Sequence, residues 1–157
     1  MPSFNSPESI GGWLILPAIF LPVSIFRIFF EAYNLFKPIL APGAWETLTN
    51  PVSANYIQYF ALVAIFEMAF NATLVALACY STFLFFKKSQ KAPMVIIYFY
   101  LISCLGQIAD QVIANQLMAV EITNKDIGFI VGMCIAATIW ILYFLKSKRV
   151  KRTFINP

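Results

Sequence analysis

The stretch FALVAIFEMAFNATLVALACYSTFLFF, residues 60–86, carries a single charge, Glu67, before the chain meets Lys87 and Lys88. About 20 mostly apolar residues suffice to cross a hydrocarbon core, so this run reads as a transmembrane helix. A carboxylate inside it then needs a reason to be there.

The rest of the chain has the same character. Of 157 residues, 61% are hydrophobic and 11% charged, and the mean hydropathy is +0.78, outside the range of soluble domains. Four stretches are long and apolar enough to span: Trp13 to Phe36, Ile57 to Phe86, Met94 to Val120 and Ile127 to Leu145. The expected fold is an all-α membrane protein, an antiparallel bundle of four transmembrane helices forming one integral domain over 1–157. The tight connections KKSQKAP and EITNKD make spans two to four neighbours. A cleaved signal peptide is not expected, because no positive charge precedes the first span and Arg27 and Glu31 lie inside it.

The formal charge of +4 is unevenly placed. Lys87, Lys88 and Lys91 follow span two, and Lys146, Lys148, Arg149, Lys151 and Arg152 follow span four, against Lys37 and Lys125 on the other side. The positive-inside rule puts the basic side, and with it both termini, in the cytoplasm. Trp140 and Tyr143 would sit at that interface while Lys146, Lys148 and Arg149 reach lipid phosphates, so membrane lipids rather than nucleic acid are the expected contact of the tail 146–157. Cys79, Cys104 and Cys134 lie inside apolar runs without CxxC spacing and read as packing residues. The chain has no histidine, which removes haem ligation, most zinc sites and a histidine acid-base catalyst. With no P-loop, GxSxG or HExxH either, no metal, cofactor or enzymatic activity is expected.

Local signals refine the picture. The start MPSFNSPES is rich in turn formers and is expected to lie loose, with Trp13 at the interface. Pro17 and Pro22 predict kinks in span one. The outer loop, 37–56, holds three prolines and Trp45 and is long enough for a short interfacial helix or a plain connector. Gly128, Gly132 and Ala136 form a small-residue stripe on span four, suited to close packing within the bundle or against a partner helix or second copy.

Glu67 has polar company. Arg27, Glu31 and Asp110 also lie in spans, with the amides Asn71, Gln107 and Gln111 nearby. At 1.5 Å per residue, measured from each span's basic end, Arg27 lies at roughly 21 Å, Asp110 at roughly 24 Å, Glu31 at roughly 27 Å and Glu67 at roughly 28 Å. Within each helix these residues recur at three or four, on one face. The expectation is a polar cluster inside the bundle toward the outer surface. One arginine against three carboxyl groups would total about minus two if all were ionised, so either water reaches the site or a carboxyl holds a proton.

The two ends carry a resemblance. IGGWLILPAI at 10–19 and IWILYFLKSKRVKRTFI at 139–155 resemble the opening and closing signatures of the bacterial inner-membrane family catalogued as domain of unknown function 2569, and IFEMAFNATL at 65–74 resembles its second-helix acid-and-amide pattern. The resemblance implies a four-helix inner-membrane protein and marks Gly11, Gly12, Trp13, Glu67, Asn71, Trp140, Tyr143, Phe144, Ser147, Arg149 and Val150 as family positions. Asp110 and the outer loop match none of these signatures. The functional expectation is a non-enzymatic accessory or structural subunit packing against another membrane protein or complex. The alternative is a small oligomeric transporter or channel-like protein using the intramembrane cluster.

Overall fold

The computed structural model describes residues 7–118 and 120–157. Six of the nine residues of the start expected to lie loose, 1–6, fall outside the described residues, as does position 119 in the third expected span. Among the described residues, four helices are long and apolar enough to cross a membrane. They are α1 (Ile15–Ile39), entered through a single turn over Gly12–Leu14, α3 (Phe60–Phe86), α4 (Ala92–Met118) and α5 (Asn124–Lys146). Two short helices complete the order: α2 (Ala44–Thr49) in the outer loop and α6 (Lys148–Thr153) near the C-terminus.

Helix bounds follow local chemistry. Pro17 lies in the first turn of α1, where no intrahelical donor is needed, and α1 continues unbroken through Pro22. Span two begins three residues later than the apolar run suggests. The Ile57 N–H donates to the Leu48 carbonyl at 3.1 Å, tying that segment to α2, and Tyr59 takes a left-handed conformation before α3 starts. A capping box opens α5, with Thr123 Oγ1 accepting from the Asp126 N–H at 3.3 Å and the Asp126 carboxylate accepting from the Thr123 N–H at 2.9 Å. Ser147 leaves helical geometry and separates α5 from α6, and its Oγ accepts from the Val150 N–H at 3.4 Å.

α1 packs on α3, α3 on α4 and α4 on α5, and the connections are compatible with an antiparallel bundle. Between lipid-soluble helices this association rests on packing rather than on the hydrophobic effect. The core is densest at the end of the bundle where residues 8–14 meet the C-terminal segment. Leu14, Phe85, Ala92 and Ile96 are fully buried there, and Phe144 and Phe154 close over them. Phe154 is tilted on Phe85 with ring centroids 5.2 Å apart, and on Phe144 at 6.4 Å. Cys104 and Cys134 meet where α4 packs on α5.

The C-terminal segment is built into this end. Asn156 donates from its N–H to the Lys88 carbonyl at 3.1 Å and from Nδ2 to the Lys87 carbonyl at 2.8 Å, while its own carbonyl accepts from the Gln90 N–H at 2.7 Å. Phe154 should therefore hold the fold rather than trail from it. Truncating a buried aromatic costs about 3–5 kcal/mol, and Phe154→Ala should lower the thermal unfolding midpoint of the detergent-solubilised protein accordingly.

Candidate functional site

Three features lie outside simple packing. The first is a small polar cavity between α1, α3 and α4, toward the outer-loop end. Its volume is about 90 Å³, room for a few waters. Arg27, Glu31, Glu67, Asn71, Gln107 and Asp110 all line it, so six of the seven residues expected to cluster are brought together. Gln111 does not line it. Counting rise along each helix, Glu31, Glu67 and Asp110 lie about 10–12 Å from the outer-loop ends of α1, α3 and α4, and Arg27 lies about 18 Å from the end of α1. The three acids are level, and Arg27 sits about a turn deeper.

Within the cluster one ion pair runs along α1, where Arg27 Nη1 meets Glu31 Oε1 at 3.7 Å with both side chains about half exposed. Glu67 of α3 and Asp110 of α4 line the same cavity. Asn71 Nδ2 donates to the Glu67 carbonyl at 2.9 Å on its own helix. The Arg27–Glu31 ion pair stays on one helix and ties no two helices together. Two further residues shape the cavity without having stood out in the sequence. Gly106 has no side chain because the Phe70 ring occupies the place of a Cβ, and Ser103 on α4 lines the wall. A lone serine and glycine in an apolar helix give no sequence signal of this.

The second feature is an apolar cleft of about 500 Å³ between α1, α4 and α5. Gly128, Gly132 and Ala136 face it. At Gly128 and Gly132 an added Cβ would meet nothing within 4 Å. The stripe expected to pack helices thus faces open space in this chain, because α1 and α5 leave a seam between them.

The third is the basic end. Val150, Thr153 and Phe154 turn inward, while Lys146, Lys148, Lys151 and Arg152 are exposed. Arg149 is exposed as well, and its Nη2 donates to the Ser9 carbonyl at 3.4 Å. A Cβ on Gly11 would come within 2.7 Å of the same nitrogen, and Gly12 at φ +58° lies beside the guanidinium. Arg152 pairs with Glu8 at 3.5 Å, and the Glu8 N–H donates to the Arg152 carbonyl at 3.2 Å. Trp140 and Tyr143, expected as interface anchors, are half-buried and pack edge-on against each other at 5.8 Å beside the core.

These features define a small four-span membrane protein with a polar cavity in its bundle and a structured basic end. The chain belongs to the family described as protein of unknown function (DUF2569), which matches residues 7–155. It is similar to the inner membrane protein YdgK of Escherichia coli (strain K12), 28% identical over 156 residues that cover 98% of each chain. That relative and the four apolar helices support a bacterial inner-membrane protein. No solved structure matches the chain.

The polar cavity is open to test by stability. Asp110→Leu sets an apolar side chain on the wall shared with the half-buried Glu67 and should cost about 1 kcal/mol. Asp110→Asn retains hydrogen-bonding capacity and should cost less, both read by thermal unfolding in micelles.

Proposed function

We propose that this chain is a non-enzymatic accessory subunit of the bacterial inner membrane, with both termini cytoplasmic, that docks another membrane protein or complex through its basic end. The observation that carries this reading is the shape of that end. Positive charge alone suffices for topology, and a loose basic tail would supply it. Here the tail is instead held on one side by the residues around Gly11 and on the other by the turn at Lys87–Gln90. A defined surface of exposed lysines and Arg152 fits a partner with an acidic cytoplasmic face. Long-range attraction of opposite charges then guides assembly.

The test is gentle extraction at native expression level followed by mass spectrometry of what co-purifies. A stoichiometric membrane partner is expected. Lys148→Glu with Lys151→Glu should reduce its recovery roughly tenfold while shifting the chain's own stability by no more than about 0.5 kcal/mol, as for exposed sites. Recovery of the chain without a stoichiometric partner would overturn the reading.

A second reading is favoured by the polar cavity, which gathers an arginine and three carboxyl groups inside the bundle. In this reading an oligomer carries a proton, ion or small polar solute past Glu67. Glu67→Gln should then abolish flux in reconstituted vesicles at unchanged protein level, and flux that persists in this variant removes Glu67 from the path.

A further inference from the structure

The cleft between α1, α4 and α5 has a role in neither reading. Its volume of about 500 Å³ is in the range of small-molecule sites. Phe20, Phe99, Phe129 and Met133 supply its bulky apolar walls, and α5 contributes the open face at Gly128 and Gly132. Within a bilayer such a space is filled by apolar matter, since water there would give up its hydrogen bonds.

One wall of the cleft is polar. Arg27, Phe99, Ser103 and Met133 line both the cleft and the polar cavity, so they form the boundary between the two. Donors stand on that boundary. The 3.7 Å contact of Arg27 with Glu31 is longer than a hydrogen bond, which leaves a guanidinium with five N–H groups in need of acceptors at membrane depth. Ser103 Oγ is buried and has no hydrogen-bond partner among the described residues.

The charge around this boundary selects the kind of acceptor. An anionic head would meet Arg27 but would also face Glu31, Glu67 and Asp110 lining the adjoining cavity, and like charges repel strongly where water is scarce. An uncharged carbonyl accepts from the same donors without that repulsion. We propose that the cleft is a binding site for a neutral membrane-soluble ligand. Its apolar tail lies along the Gly128 and Gly132 face, and its carbonyl-bearing head accepts from Arg27, with Ser103 as the second donor at that wall. Acylglycerol esters and isoprenoid quinones share this chemistry.

The full-length protein in micelles would be titrated separately with monoolein, decylbenzoquinone and oleate, and bound probe counted by native mass spectrometry. Saturable retention of one equivalent of a neutral probe is expected, with oleate weaker by roughly tenfold, and the tighter neutral probe identifies the source. Gly132→Phe fills the cleft where no neighbour lies within 4 Å, so it should unfold at the wild-type temperature yet lose neutral-probe retention roughly tenfold. Arg27→Met should weaken the neutral probes in the same direction. Non-saturable binding, undiminished retention by Gly132→Phe, or oleate bound as tightly as the neutral probes would overturn the proposal. A wild-type dimer abolished by Gly132→Phe would also overturn it, by placing a helix of a second copy in the cleft.

Discussion

Charge inside a bilayer has to be met by other protein groups or by water, and this constraint organises the outer half of the molecule. Three helices each carry ionisable residues into the membrane, and the cavity is where they converge. Glu67 of α3 and Asp110 of α4 reach it at one level. On α1 the arginine is met by an acid of the same helix and remains half exposed. α1 is therefore placed mainly by packing, with Pro17, Leu21, Ile28 and Phe36 on its buried face.

The other half of the molecule is held in a different way. Its core is aromatic and dense, and the chain's last residues lie across it. This gives a physical meaning to the two end signatures of the family. Gly11 and Gly12 leave space for Arg149, and Ser147 breaks the helix so that α6 can turn back toward them. The two signatures are separated by most of the sequence and touch in the fold. A substitution in one is felt by the other, which a tail serving only as a topological anchor would not require.

Between these two halves the bundle stays open on one side. α5 packs on α4 and leaves a seam toward α1, so the small residues of α5 line space rather than a neighbouring backbone. In water such a seam would collapse under the hydrophobic effect, but in lipid little drives it to close. An apolar cleft with polar groups on one wall is therefore a stable feature of the membrane-embedded fold.

The class of protein and its four spans were legible in the sequence alone. Apolar length and charge placement act locally and need no tertiary knowledge, and regular helical rise puts Glu31, Glu67 and Asp110 near one level before any packing is known. Contacts between distant segments were decided only by the tertiary structure. Helical spacing shows which face a residue occupies but not what that face meets, so the glycine stripe could be read equally as a packing seam. Ser103 and Gly106 gave no signal because their roles depend on neighbours from other helices. Arg149 read as one of several outward basic residues, and only the return of α6 toward Gly11 and Gly12 brings its exposed guanidinium to the Ser9 carbonyl as well.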